Sequence, residues 1–161
     1  MTVDFNNNKN NQISYDDILL INSLCLFEGE PFGVLDQNRI LSALGNQFQP
    51  YPNSEQASAS VYKSLVINHG FMNGNKRTAV IVLYVLSLMI NNHLKLSDQD
   101  LADLTYKIAS EGGSHIDVSE ISHQVFVCSP LNNEPSKDFN LKEEVTLFIN
   151  NHRWLMEELG K

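Results

Sequence analysis

The sequence is short of cationic side chains. Against 19 Asp and Glu it carries 11 Lys and Arg, a formal net charge of -8 over 161 residues. Such an acidic balance repels phosphate backbones unless a local cationic patch overrides it, which disfavours long nucleic acid as a partner. Cysteine is scarce as well. The two present, Cys25 and Cys128, form no CxxC pair and have no histidine at metal-ligand spacing. A disulfide framework and a zinc finger are therefore disfavoured, and reduced thiols in a cytoplasmic protein are expected. Long apolar runs are missing too. The most apolar stretch, Ala79 to Ile90, is interrupted only by Ser87 and falls well short of the roughly 20 residues needed to cross a bilayer. It reads as a buried core helix, with no membrane segment. The start of the chain, residues 1–13, is polar and rich in asparagine, without the basic and apolar parts of a secretory signal, and reads as a disordered arm.

What is present points to helices. Ser14 followed by Asp17 resembles a capping box for a helix running to Phe27. Glu28 to Gly33 holds two glycines and a proline, which is turn chemistry, and Asp36 offers an N-cap for a short helix through Leu44 that Gly45 closes. Two prolines flank Tyr51, so Asn46 to Asn53 is expected to be a loop. Ser54 caps a helix with Ala57, Val61 and Leu65 on one face, ending near His69-Gly70. Asn75 to Asn91 is rich in β-branched residues yet too long for an ordinary strand, which predicts a helix buried on nearly all sides, with Asn91-Asn92 as a left-handed stop. Further helices are predicted from Ser97 to Ser110 and from Asp117 to Val127, separated by Glu111-Gly112-Gly113. The expected fold is all-α: a compact single-domain bundle over residues 14–127 with a central buried helix, a linker at 128–140 containing Pro130 and Pro135, and an added C-terminal amphipathic helix at 141–161.

Chemistry concentrates in His69-Gly-Phe-Met-Asn-Gly-Asn-Lys-Arg-Thr78, at the start of the most apolar helix. Helix N-termini present unpaired N–H groups and a positive dipole end, so they attract anions. Gly74 lets the backbone approach an anion closely, and Lys76 and Arg77 add two positive charges. A phosphate chain suits this place. His69, just before the loop, is placed to take a proton from a hydroxyl. Each residue also has a plainer reading: His69 as a helix cap or surface residue, Lys76-Arg77 as a solvated pair, Asn75 as a cap and Phe71 as a core plug. Their occurrence together within one short segment carries the argument.

That segment resembles the loop of the Fic/Doc superfamily, H-x-F-x-(D/E)-G-N-(G/K)-R, through His69, Phe71, Gly74, Asn75, Lys76 and Arg77. Lys76 followed by Thr78-Ala79 is similar to the Doc (death on curing) toxin branch, whereas the AMP-transferring branch has glycine at that place and a second arginine where Val80 stands. Tyr15-Asp16-Asp17, Gly33-Val34-x-Asp36, Leu41-Ser-Ala-Leu44, Tyr51-Pro52 and Asn68 extend the likeness from Ser14 to Val127. The resemblance implies a Doc-like toxin that transfers the terminal phosphoryl of ATP to a Ser or Thr hydroxyl of a protein such as elongation factor Tu. His69 and Arg77 would be catalytic, Gly74, Asn75, Lys76 and Arg77 would hold the nucleotide phosphates, and Phe71 would anchor the loop. Asn46 to Asn53 corresponds to the region that clamps the target in relatives. The alternatives are a Fic-type AMP transferase and a catalytically silent Doc-fold binding module. The latter follows from Asn73, which stands where the family has an acid that binds Mg2+ accompanying ATP; an amide oxygen holds a hard cation less well than a carboxylate.

The tail has its own pattern. Leu141, Val145, Phe148, His152, Leu155 and Leu159 recur at spacings of four and three, one stripe of a helix that something must cover. The cover is expected to be its own domain, a second copy of the chain, or the active cleft. Members of the resembled family are silenced by a helix from a partner antitoxin or from the chain itself, so intrachain inhibition by this C-terminal helix is implied.

Overall fold

Local signals set most helix boundaries in the computed structural model, which describes residues 12–111, 115–127 and 139–161. The Ser14 hydroxyl accepts from the Asp17 amide at 3.1 Å and the Asp17 carboxylate accepts from the Ser14 amide at 2.9 Å, a reciprocal cap that starts α1 (Tyr15–Cys25). Such a cap is worth about 1 kcal/mol. The helix stops at Cys25 rather than Phe27, because a turn closes from Phe27 to Glu30 through Gly29 at φ 86° and the Phe27 amide bonds to the Glu30 carboxylate at 2.6 Å. Ile13, assigned from sequence to the arm, is buried and exchanges two hydrogen bonds with the Gln47 side chain. Residues 1–11 of the arm, Gly112-Gly113, Cys128 and most of the linker lie outside the described residues.

Asp36 caps α2 (Gln37–Gly45) through the amides of Asn38 and Arg39. Gly45 does not end the helical path. It keeps a right-handed conformation and leads into a 3-10 turn over Asn46–Phe48, where the Asn46 amide donates to Ala43 O and to the Ser64 hydroxyl at 2.7 Å. The expected loop at 46–53 thus begins as a turn tied to the next helix. That helix, α3 (Ser54–Asn68), is capped by Asn53 rather than Ser54, with Asn53 Oδ1 accepting from the Gln56 amide at 2.8 Å.

The centre of the molecule is α4 (Asn75–Met89), whose residues from Arg77 to Leu83 are all buried. It packs against α1, against α3 most extensively, and against α5 (Asp98–Ser110), α7 (Leu141–Asn151) and α8 (Arg153–Leu159). β-branched residues favour strands in isolation, but burial decides here: a fully buried aliphatic side chain contributes about 1.5–3 kcal/mol, more than its helix-propensity cost. Asn91 at φ 53° turns the chain after this helix. α6 (Val118–Val125), capped by Asp117, packs on α3.

The single C-terminal helix expected from the stripe is two helices. His152, at φ -125° and ψ 42°, leaves the helical path between α7 and α8; its ring bonds to the Asp98 carboxylate at 2.8 Å and stacks on Phe148 at 4.2 Å. Leu141, Val145, Phe148, Leu155 and Leu159 are buried on their own domain, against α1, α4 and α5. Among the described residues there are eight α-helices, one 3-10 turn, no strand and two isolated bridges, Val34 with Phe71 and Leu94 with Phe126. None of these helices is long and apolar enough to cross a membrane. The all-α class holds.

Candidate functional site

The site is built where α3 ends and α4 begins. His69 is the C-cap of α3 and sits in the left-handed region at φ 47°, ψ 53°, a conformation that costs a non-glycine residue roughly 1 kcal/mol. Backbone strain at a non-glycine position is concentrated at functional loops. The histidine is exposed, and its ring has no hydrogen-bond partner among the described residues. Gly70 follows, buried, and a Cβ there would come within 2.5 Å of Ile40 Cγ1. That close approach lets Gly70 O accept from the Leu35 and Asp36 amides at 2.8 and 3.2 Å. The Met72 amide then donates to Gly33 O at 2.9 Å. The segment 33–36 is therefore the outer wall of the loop that carries His69.

Phe71 points into the core and is buried, with its ring 6.5 Å from that of Phe32. Asn75 is a staple: its Oδ1 accepts from the Phe71 amide at 2.9 Å and its Nδ2 donates to Phe71 O at 2.8 Å. Both ends of that side chain are thereby committed to loop closure. Asn22, fully buried on α1, donates to Asn73 O at 2.8 Å and to the Thr78 hydroxyl at 3.0 Å, fastening the loop from beneath. Gly74, at φ 77°, is the N-cap of α4 and carries no capping side chain, so the amides of Asn75, Lys76 and Arg77 open the helix uncapped. Here the left-handed turn requires glycine.

The two cations differ. Lys76 is half-buried, its Nζ 5.8 Å from the centre of the Tyr106 ring. Arg77 is buried: Nη1 donates to Cys25 O at 2.6 Å, Nη2 donates to both Glu30 oxygens at 2.8 and 2.9 Å, and Cζ lies 3.9 Å over the Phe27 ring. Its Nε is buried without a hydrogen-bond partner among the described residues. Partial burial pushes the Glu30 carboxyl up, but the Phe27 amide and the Arg77 guanidinium outweigh it and hold the group below its ordinary value. Burial pushes the neighbouring Cys25 thiol up, against a smaller opposing effect of Thr78, so it is an unreactive core thiol. Val80 is fully buried.

Asn73 donates its amide to Pro31 O at 3.1 Å, leaving its oxygen as a single neutral donor to a cation. Glu30, the residue before Pro31, has its carboxylate held by Arg77. Among the described residues no three His, Cys, Asp or Glu side chains are grouped to hold a metal ion. Magnesium prefers carboxylate and phosphate oxygens, and this donor set does not fit a magnesium ion held by the protein alone.

A shallow trough of about 470 Å³ between α2 and α3, lined by Asn38, Arg39, Ser42, Ile67 and Asn68, reaches the end of α3 beside His69. In the 46–53 segment Phe48 is exposed, while the Tyr51 hydroxyl pairs with Ser60 at 2.7 Å. The structure thus places His69 and Gly74 on the loop and Lys76 in the first turn of α4, and it adds Asn22 and Glu30, which sequence reasoning missed. An asparagine inside an apolar helix is a signal that a buried partner exists; Glu30 in a Gly/Pro turn gives none.

In this all-helical domain an exposed histidine ends α3 and an uncapped helix start with Lys76 in its first turn follows within seven residues. Residues 12–87 match the Fic/DOC family model, which supports the Fic/Doc superfamily and, in general terms, a transferase-type function. The match spans α1 to most of α4 and ends at Ser87, short of the Val127 limit read from the sequence. No curated protein and no solved structure shows a significant match to the chain.

Proposed function

We propose that this chain is a Doc-like toxin of the cytoplasm that transfers the terminal phosphoryl of ATP to a Ser or Thr hydroxyl of a protein, with elongation factor Tu as the candidate target. The observation that carries the proposal is the junction between α3 and α4, where exposed His69 ends one helix and uncapped amides with Lys76 begin the next. His69 takes the proton of the target hydroxyl, whose oxygen bonds to the γ-phosphorus as the bond from that phosphorus to the β-phosphate oxygen breaks and ADP leaves. A general base in this role contributes a factor of about 10²–10⁴. The α4 amides and Lys76 stabilise negative charge on the phosphates. Asn75 contributes by holding the loop shut, and Phe71 by anchoring it. Mg2+ enters bound to the nucleotide phosphates, and no step is assigned to it.

Val80 supports the kinase reading over AMP transfer, since a fully buried aliphatic stands where the AMP-transferring branch has a cation. Asn73 supports the silent module instead. The C-terminal helices bear on the same place. Tyr106, under Lys76, donates its hydroxyl to Glu158 O, and a Cβ on Gly160 would come within 2.5 Å of the Phe27 ring that carries Arg77. That contact supports intrachain restraint by α8, alongside or in place of a partner antitoxin. Incubation with elongation factor Tu and ATP labelled on the γ- or the α-phosphate tests the proposal. Label from the γ position alone is expected; α label means AMP transfer, and no label from either means the silent module.

A further inference from the structure

Arg77 commits its two terminal nitrogens inside the protein, while its Nε is buried without a hydrogen-bond partner among the described residues. Of five guanidinium N–H groups, those on Nη1 and Nη2 reach Cys25 O and both oxygens of Glu30, Phe27 covers one face, and the side chain is 2% exposed. Moving it toward a nucleotide would strand the Cys25 carbonyl and leave Glu30, a partly buried carboxylate, without its cation, and removing one partner of a desolvated pair is destabilising. Lys76, one residue earlier, has no ion-pair partner among the described residues and is half-buried at the open start of α4. Glu30 has a second contact, accepting from the Phe27 amide at 2.6 Å, and it begins the segment whose next residues hold the His69 loop. Pro31 O accepts from Asn73, Gly33 O accepts from the Met72 amide, and the Leu35 and Asp36 amides donate to Gly70 O.

From this arrangement we infer that Arg77 is a positioning residue paired with Glu30, which pins the 30–36 wall against the His69 loop, and that the charged phosphate contact belongs to Lys76. The inference rests on the reading of the α4 start as the anion site. It reverses the role that resemblance alone gives to Arg77. A bidentate guanidinium–carboxylate pair has a geometry that a lysine cannot reproduce, so Arg77→Lys should behave like Arg77→Gln, although it keeps the charge.

Binding of tripolyphosphate to the full chain, measured by calorimetry, tests the assignment in wild type, Lys76→Gln, Glu30→Gln, Arg77→Lys and Arg77→Gln. Lys76→Gln is expected to weaken binding roughly tenfold, the loss of one charge-assisted contact. Glu30→Gln, at a side chain 25% exposed, keeps an oxygen for the Phe27 amide and is the variant least disturbing to folding. It is expected to leave affinity unchanged or weaker, to match the Arg77 variants, and to lower kcat rather than raise KM for ATP. Tighter binding by Glu30→Gln would show a carboxylate competing with phosphate for Arg77 and overturns the inference. So does binding lost in Arg77→Gln and retained in both Arg77→Lys and Glu30→Gln. If Arg77→Gln fails to fold, the direction of the Glu30→Gln change decides alone. A wild-type chain that does not bind tripolyphosphate removes the anion site itself, and the assignment with it; the preceding outcomes remove only the assignment.

Discussion

His69 and Gly70 show how the chain trades local comfort for placement. A left-handed histidine is followed by a glycine whose missing Cβ admits Ile40, and the two together turn the chain so that the imidazole stays in solvent while the next residue enters the core. Gly70→Ala would drive a methyl into Ile40 Cγ1 at 2.5 Å, an overpacking that costs about 1–3 kcal/mol. Urea unfolding should show that loss of stability, together with reduced transferase labelling, because Gly70 O anchors the wall at Leu35 and Asp36. Unchanged stability and labelling would mean that the contact is loose. The residues from His69 to Arg77 were legible in the sequence because they are neighbours along the chain. Glu30 and Asn22 were not: each meets the site from about fifty residues away, and no periodicity in sequence encodes such a meeting.

Among the elements, the 28–36 segment has the largest part in holding the site while having no regular structure beyond one bridge. Its tie to α4 is the Glu30–Arg77 pair, whose sign with pH follows from the direction of the Glu30 shift. The carboxyl is held below its ordinary value, so near that pH the unfolded chain binds more protons than the folded one. The stability from the pair is then whole above about pH 4.3 and is lost as the pH falls through the depressed folded value. Wild type should exceed Glu30→Gln in melting temperature at neutral pH, with the gap closing as the pH falls below about 4. A gap that widens toward acid would contradict the ion pair. Helix types were legible from periodicity and caps; the misplaced boundaries have specific causes. Gly45 stays helical because Asn46 finds partners on both flanking helices, and the C-terminal stripe breaks at His152 because Asp98 and Phe148 hold that ring, neither of which a stripe of apolar residues records.

On the scale of the whole molecule, the helices after the family match are structural members of the core. Leu141, Val145, Phe148, Leu155, Met156 and Leu159 are each at most 5% exposed. At about 1.5–3 kcal/mol per buried side chain, their removal would cost as much as the ~5–15 kcal/mol that holds an ordinary domain together. A chain truncated after Val127 should therefore lose its cooperative melting transition by circular dichroism. A folded truncate that labels its target faster than the full chain would instead make α7 and α8 a restraint alone. The central proposal for the molecule is that His69 acts as base at the junction where α4 begins. The most direct measurement is γ-phosphoryl transfer from ATP to elongation factor Tu by wild type and by His69→Ala at matched folded concentration. Transfer by the wild type that falls roughly 10²–10⁴-fold in the variant, with an unchanged circular dichroism spectrum, is the predicted result; equal transfer by the two proteins would contradict it.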